Sequence, residues 1–210
     1  MNKRKTLSIV LILLAFATAI YFEPLMPAKM ASHWNGQGMV DGYMNKTWAL
    51  FFFPFFMIAL NLLFYFVPKI DPQKKNIEKF WSSYDNFILV FNIFMLYLYS
   101  ITIIWNMGFK MNMNAVLMPG FAFLFYFCGD LIKNAKRNYS IGIKLPWTLA
   151  SDVVWDKTHA VGEKLFKLTA LFTFLGAFFT QYSMWFMFVP LTISIVYLFI
   201  YSYLEYQKVK

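Results

Sequence analysis

Charged side chains are scarce in this chain. Only 14% of its 210 residues are Asp, Glu, Lys or Arg, whereas 60% are hydrophobic and 22% are aromatic. A soluble domain of this size needs more charge than this to cover its surface, so the composition argues against an ordinary soluble protein. It predicts a protein that is surrounded largely by lipid.

Cysteine is also nearly absent. The one cysteine, Cys128, lies in an apolar run, so an internal disulfide is impossible. Nothing nearby in the sequence would activate its thiolate, and we expect Cys128 to serve as a small packing residue.

Six apolar segments predict six transmembrane helices. A helix rises about 1.5 Å per residue, so roughly 20 residues cross a hydrocarbon core of about 30 Å. The first and fifth segments are shorter, and Lys5, Lys164 and Lys167 can extend them by reaching to the membrane surface. The six segments are Leu7–Phe22, Trp48–Val67, Phe87–Met107, Ala115–Ile132, Leu168–Tyr182 and Met184–Tyr203.

These spans divide the chain into three parts. Residues 1–67 form an N-terminal two-span module whose outer loop covers residues 23–47. Residues 68–132 hold the third and fourth spans, and residues 133–210 hold a polar loop and the last two spans. The predicted fold class is an all-α integral membrane protein, with a turn-rich outer loop and an interfacial helix in the inner loop.

The distribution of Lys and Arg predicts the orientation. With the N-terminus inside, 16 of the 19 basic residues fall on inner segments, and three fall on outer ones, namely Lys29, Lys46 and Lys110. Because basic residues favour the cytoplasmic side, we predict a multi-pass protein of the cell membrane with both termini inside. The net charge of +9 then needs no direct contact with nucleic acid, and the inner basic residues should attract anionic lipid.

The first span also resembles a secretory signal. Basic residues precede an apolar run that includes small residues from Ala17 to Ala19, a pattern typical of a cleavage site. The apolar run continues through Phe22, however. We therefore expect the segment to stay uncleaved and the mature chain to begin at or near Met1.

The outer loop is rich in turn-forming residues. An Asn-Gly and an Asp-Gly dipeptide at positions 35–36 and 41–42 predict a turn-rich or hairpin-like cap on the membrane surface. His33 and Asp41 are possible metal ligands, but two ligands are too few to predict a metal site. His33 beside Trp34 is better interpreted as an interfacial anchor or a hydrogen-bonded loop residue.

The polar stretch from Lys133 to Lys167 contains a compact turn and a helix start. Pro146 disfavours a helical conformation for the residue before it, so the chain turns there. The Ser151 hydroxyl can cap a new helix, and Trp155 with its apolar neighbours suits a helix that lies on the membrane surface. We therefore predict a structured turn, an interfacial helix and then the fifth span.

The segment from Asn138 to His159 resembles the signature of the SdpI family of bacterial membrane proteins. The matching residues are Asn138, Gly142, Pro146, Trp147, Thr148, Leu149, Trp155, Thr158 and His159. Lys144 stands where the family usually has Arg, which keeps the charge but loses the bidentate geometry of a guanidinium. The outer loop is similar to a module of unknown function that often precedes this signature. Its matching residues are Pro24, Pro27, His33, Trp34, Asn35, Gly38, Asp41, Gly42 and Lys46.

This resemblance implies a membrane-embedded immunity and signalling protein. The family's named member protects a producer cell from a secreted, sporulation-delaying peptide toxin, and it is thought to hold a transcriptional repressor at the membrane. The residues implied in ligand recognition by the outer loop are His33, Trp34, Asn35 and Asp41. The residues implied in partner contacts by the inner signature are Asn138, Gly142, Lys144, Pro146, Trp147, Thr148, Trp155 and His159.

A purely structural interpretation of the inner motif stays equally open. Proline, glycine and tryptophan shape interfacial turns, and Asn138 can serve only to satisfy backbone groups.

A small-molecule or ion transporter is one alternative function. Proton and ion relays need ionisable groups at membrane depth. The span centres offer uncharged polar side chains instead, namely Asn61, Asn92, Ser100 and Thr102. We interpret Asn61 and Asn92 as hydrogen-bonding residues between helices, while Asp130 and Glu205 lie close to the inner edge.

A membrane-embedded enzyme is the other alternative. The chain lacks the His-Glu-x-x-His and Gly-x-Ser-x-Gly motifs. Its two histidines, His33 and His159, are predicted on opposite sides of the membrane, so they cannot share a zinc or a general-base site within one monomer. We expect no catalytic residues, no metal and no cofactor.

Overall fold

Six long helices connected end to end form the body of the molecule. The computed structural model describes residues 3–210, and the expected start at Met1 lies outside them. The long helices are α1 (Lys3–Phe22), α2 (Lys46–Ile70), α4 (Trp81–Asn106), α5 (Met113–Asn134), α7 (Asp152–Gly176) and α8 (Ser183–Val209). The shorter elements are strands β1 (Lys29–Trp34) and β2 (Val40–Asn45) and helices α3 (Lys74–Glu78) and α6 (Pro146–Ala150).

Within residues 3–210, five helices are long and apolar enough to cross a membrane, namely α1, α2, α4, α5 and α8. The predicted membrane protein with several apolar helices is thereby confirmed. The mostly helical structure agrees with the predicted all-α membrane protein, and β1 and β2 form a two-stranded antiparallel sheet where a turn-rich or hairpin-like cap is predicted. The hairpin forms because its loop contains Gly38 in the left-handed region, with φ of +77°, where glycine is favoured.

Side chains of α4 and α5 hold the hairpin on the bundle, next to an irregularity in β1. The strand register shifts between Ala31 and His33, which disrupts the regular ladder there. The Asn106 side chain at the end of α4 accepts from the Ala31 N–H at 2.8 Å and donates to the Ala31 carbonyl at 3.0 Å. Asn114 of α5 donates to the Gly36 carbonyl at 2.8 Å. The hairpin therefore lies on the end of the bundle where α4 ends and α5 begins.

The predicted interfacial helix is not a separate element. Helix α7 runs without a break from Asp152 to Gly176, so the inner-loop helix and most of the fifth span form one helix of 25 residues. Gly162 lies in its middle, and a Cβ there would come within 2.7 Å of Ile143 and 3.0 Å of Ile132. This glycine therefore serves close packing and does not end the helix. The fifth predicted span ends at Tyr182, six residues beyond the end of α7 at Gly176.

Small and polar residues hold α1, α2 and α4 together. Ala15 and Ala19 of α1 are fully buried, which lets the neighbouring helices approach closely. Asn61 of α2 and Asn92 of α4 exchange two side-chain hydrogen bonds, at 2.8 and 3.1 Å. The interpretation of this pair as hydrogen-bonding residues between helices is confirmed.

Helices α5, α7 and α8 pack against one another in the C-terminal half. A Cβ on Gly129 of α5 would come within 3.0 Å of the Glu163 carbonyl of α7. A Cβ on Gly176, at the far end of α7, would come within 2.9 Å of Phe186 on α8. Both glycines therefore allow helix backbones to approach closely. The end of the bundle that carries α3, α6 and the start of α7 is called the signature end below, and the opposite end is called the hairpin end.

Candidate functional site

Asn138 organises the turn at the signature end. Its side chain is fully buried and makes four hydrogen bonds to backbone groups. The side-chain oxygen accepts from the N–H groups of Ser140 and Ile141 at 2.8 and 2.7 Å, and the NH2 group donates to the carbonyls of Lys136 and Ile141 at 2.7 and 2.9 Å. All the donors and acceptors of the Asn138 carboxamide are therefore used in hydrogen bonds within the turn. Its role in this structure is to shape the loop.

Gly142 sits where any other residue would be strained. Its φ is +125°, and a Cβ there would come within 2.5 Å of His159 Nε2 and 2.9 Å of the Trp155 ring. The His159 and Trp155 rings stack at 4.0 Å with an interplanar angle of 20°. Trp155 is fully buried and donates its indole N–H to the Ala135 carbonyl at 2.8 Å. The turn thus passes directly over two stacked rings of α7.

His159 is held in one tautomer. Its Nδ1 lies 2.8 Å from the Trp155 carbonyl, which can only accept, so Nδ1 carries the proton. Its Nε2 accepts from the Ile143 N–H at 2.9 Å. His159 precedes the apolar half of α7, and burial lowers the pKa of its imidazole to about 4, so the ring is neutral near pH 7. Both nitrogens are occupied, which leaves this imidazole no free position for catalysis or metal binding.

Helix α6 is a short helix in the stretch where the sequence predicts only a turn. Pro146 occupies the first turn, and the Thr148 hydroxyl accepts from the Leu145 N–H at 2.8 Å. Thr148 is fully buried, whereas Pro146 and Lys144 are exposed. The Lys144 ammonium donates to the Ser140 carbonyl at 3.0 Å and stays accessible to a partner.

Trp147 joins the signature to the last helix. Its indole N–H donates to the Ser202 hydroxyl of α8 at 2.7 Å. Its ring packs edge-on against Phe199 and Tyr203 of the same helix. Trp147 is therefore separate from the pair of stacked rings, although both belong to the same sequence motif.

Two residues from the α2–α4 connection support this site and were missed from the sequence. The Asp71 carboxylate is buried and accepts from the Ser140 hydroxyl at 2.5 Å and the Tyr139 N–H at 3.0 Å. Asn76 donates to the Arg137 carbonyl at 2.8 Å. The signal in the sequence is weak, because an Asp-Pro pair after a span is also a common turn.

Ion pairs surround the signature. Glu163 of α7 accepts from Lys133 and Lys167 at 3.0 and 2.7 Å. The Arg137 guanidinium contacts the Asp152 carboxylate at 2.6 Å and also donates to the Leu149 carbonyl at 2.7 Å. These contacts tie α5, the loop and α7 into one unit, while the lysine side chains remain partly exposed.

At the hairpin end, the predicted recognition residues take different roles. His33 and Asp41 form an exposed pair, with 2.5 Å between Nδ1 and the carboxylate. Asn35 shapes the hairpin loop, because its side chain accepts from the N–H groups of Gln37 and Met39 at 3.0 Å. Trp34 packs edge-on against Trp105 of α4 at 5.5 Å. Only the His33–Asp41 pair is therefore presented to a ligand.

The two ends of the bundle offer exposed polar surfaces. Among residues 3–210, no group of three or more His, Cys, Asp or Glu side chains could hold a metal ion. His33 and His159 lie at opposite ends of the bundle. What the geometry provides is an exposed hairpin at one end and a rigid, charged loop at the other.

Comparisons with known proteins agree with both motifs. Residues 10–58 match a domain of unknown function, DUF1648, and residues 134–202 match the SdpI/YfhL protein family. The chain is 25% identical over 207 residues to the immunity protein SdpI of Bacillus subtilis (strain 168), which covers 98% of this chain and 97% of that protein. No solved structure matches the chain. The chain is therefore similar to the immunity protein SdpI over nearly its whole length, with a match to the domain of unknown function near its N-terminus and a match to the SdpI/YfhL family near its C-terminus.

Proposed function

We propose that this protein confers immunity against a secreted peptide toxin. The observation that carries the proposal is the similarity to the immunity protein SdpI over 98% of the chain. The similarity extends over both the hairpin and the signature, which supports the proposal that this chain acts as that relative does.

The proposed orientation places the hairpin outside the cell and the signature inside. It rests on the 16 basic residues that the six-span arrangement assigns to the inner side, against three on the outer side. Helix α7, which is 25 residues long, is proposed as the sixth crossing. Its apolar second half and the following residues up to Tyr182 would cross the membrane, with Lys164 and Lys167 reaching to the cytoplasmic surface and the charged first half lying there.

The two ends would then have separate tasks. A secreted peptide arrives from outside, so it meets the hairpin end first, where His33 and Asp41 are exposed. A cytoplasmic repressor can reach only the signature end, where Lys144 is exposed. A loop that is this rigidly hydrogen-bonded is suited to present a fixed surface to a partner.

Survival of toxin-sensitive cells tests the immunity proposal. A Bacillus subtilis strain without its own SdpI would express this chain and be challenged with the sporulation-delaying peptide and with culture supernatant from the bacterium that carries this gene. Cells with an empty vector and cells with Bacillus subtilis SdpI are the two references. Protection above the empty vector in either challenge is expected. Survival equal to the empty vector in both, at normal protein abundance, contradicts the proposal.

Substitutions at the two ends test the division of tasks. Asp41→Ala and His33→Ala should reduce survival, whereas Pro146→Ala and Trp147→Ala should reduce repressor-dependent reporter output. Abundance must be matched, because Trp147→Ala also removes packing against α8. If all four variants lose both outputs equally, the signature has a structural role only.

A further inference from the structure

A cleft at the hairpin end brings the two family regions together. It has a volume of about 680 Å³, within the range of about 300–1,000 Å³ that is usual for ligand pockets. One wall is the tip of the hairpin, at Gly36 and Gln37, and the other is the connection from α7 to α8 with the first turns of α8. The first wall belongs to the DUF1648 match and the second to the SdpI/YfhL match.

The chemistry of the lining is specific. Three side-chain carboxamides line the cleft, from Gln37, Asn112 and Gln181. Those of Gln37 and Gln181 offer both hydrogen-bond donors and acceptors, whereas the Asn112 oxygen accepts from the Ala115 N–H at 3.2 Å and caps α5. Three aromatic side chains lie beside them, namely Tyr182, Trp185 and Phe188, which are 55%, 67% and 53% exposed. None of the residues that line the cleft carries a formal charge at neutral pH.

This lining selects among possible occupants. A lipid acyl chain makes no hydrogen bonds, so it would leave the carboxamides of Gln37 and Gln181 without partners. A charged headgroup would find no opposite charge in the cleft and would lose hydration without compensation. An uncharged peptide segment suits both the polar and the aromatic part of the lining. Its backbone N–H and C=O groups can form hydrogen bonds with the carboxamides, and its apolar side chains can cover the aromatic rings.

We propose that this cleft binds an uncharged, apolar segment of a peptide. The proposal rests on the immunity function in one respect, namely that the hairpin end faces the outside, where a secreted peptide arrives. A segment bound there would contact the hairpin and the α7–α8 connection at the same time. It would thus link the N-terminal module to the helix whose other end carries Trp155 and His159.

Gly36 provides a way to fill the cleft without disturbing the hairpin. It lines the cleft, its φ is not in the left-handed region, and a Cβ there would meet no atom within 4 Å. Gly36→Trp should therefore fold normally and occupy the site. Met39→Trp is the matched control, because Met39 lies in the same loop, is 61% exposed and is not part of the cleft.

Photocrosslinking in nanodiscs tests the proposal directly. The probe is a pool of end-blocked hexapeptides of Leu, Val, Phe, Ser and Gly that carry one diazirine-leucine, and crosslinked positions are read by mass spectrometry. We expect crosslinks concentrated at positions 36–37 and 180–188. Gly36→Trp should reduce them by roughly tenfold, the loss that corresponds to about 1.4 kcal/mol of binding. Gln37→Ala and Gln181→Ala should each reduce them by about three- to tenfold.

Several results would overturn the proposal. These are crosslinks spread evenly along the lipid-facing helices, an equal yield from a pool in which Lys and Asp replace Ser and Gly, or an equal effect of Met39→Trp and Gly36→Trp. Survival separates this inference from the proposed function. If wild-type protein and Gly36→Trp protect cells equally, the cleft is not the recognition site, although the immunity function stands. If crosslinks concentrate in the cleft but wild-type protein gives no protection, the peptide site stands and the immunity function fails.

Discussion

At the scale of the residue, the conformation of the signature loop depends on two positions that each require one particular type of residue. Gly142 combines a φ of +125° with direct contact to His159 and Trp155. Asn138 bridges four backbone groups, of which the N–H and the carbonyl of Ile141 would otherwise be buried without partners. Removal of a partner from a buried backbone group costs about 1–3 kcal/mol, so these residues fix the loop strongly.

Gly142→Ala should therefore destabilise the protein by at least about 1–3 kcal/mol, the usual cost of such backbone strain before any clash with His159 is added. Gly36→Ala is the control, because Gly36 has open space around it and should change stability by no more than about 0.5 kcal/mol. Thermal unfolding of the two purified variants in detergent measures both effects. Equal unfolding temperatures would show that the turn is not as tightly packed as described.

The neutral state of His159 predicts a pH dependence of stability. Between the ordinary pKa of 6.5 and the lowered value of about 4, the unfolded chain binds a proton that the folded chain excludes. Stability should therefore be greatest above pH 6.5 and decrease as the pH falls towards 4, by up to about 3 kcal/mol from this residue.

His159→Gln should flatten this dependence, because a glutamine oxygen can still accept from the Ile143 N–H and has no titrating ring. The measurement is the unfolding temperature of both proteins from pH 7.5 to pH 4.5. The variant should start lower at pH 7.5 and lose less on acidification. Parallel curves for the two proteins would show that His159 does not contribute to the pH dependence.

At the scale of the element, apolar patterning and turn residues predict most of the structure. All six apolar segments lie largely on helices, and the Asn-Gly and Asp-Gly dipeptides mark a true hairpin. The error is in α7, whose charged first half suggests a surface helix when only hydropathy is considered. Close packing keeps this polar half inside the bundle, as at Gly162, which lies against Ile132 and Ile143. A hydropathy pattern gives no information about such contacts.

The supports of the candidate site could not be predicted in the same way. Asp71 contacts Ser140 across 69 residues of sequence, and Asn106 contacts Ala31 across 75. Such contacts depend on the packing of whole helices, and the local sequence around either partner gives no sign of the other. By contrast, the cap that Ser151 provides for α7 is local, and the sequence is sufficient to predict a helix start there.

The Asn61–Asn92 pair should contribute to the association of α2 and α4. Replacement of either asparagine by leucine leaves the other amide without its partner, and we expect a loss of about 1–2 kcal/mol for each single variant. The double variant should lose less than the sum of the two, because no unpaired amide remains. A double-mutant cycle from unfolding in detergent measures this coupling. Additive losses would show that the two side chains act independently.

At the scale of the whole molecule, α7 connects the two ends. It begins beside the signature turn, where Trp155 and His159 stack, and it ends at Gly176, which packs closely on α8 beside the cleft that we propose as a peptide site. A ligand that binds at the hairpin end can influence the signature end only if it favours one arrangement of such helices over another. The proposed signalling therefore depends on the placement of these two ends on opposite sides of the membrane.

Labelling of single cysteines in intact cells tests this placement most directly. Lys29 in β1 and Lys75 in α3 are both exposed, so a cysteine at either position is accessible from its own side of the membrane. In a Cys128→Ala background, a membrane-impermeant maleimide should label position 29 in intact cells and position 75 only after the membrane is opened. Labelling of position 75 but not position 29 in intact cells would contradict the proposed orientation, and with it the assignment of peptide recognition to the hairpin end.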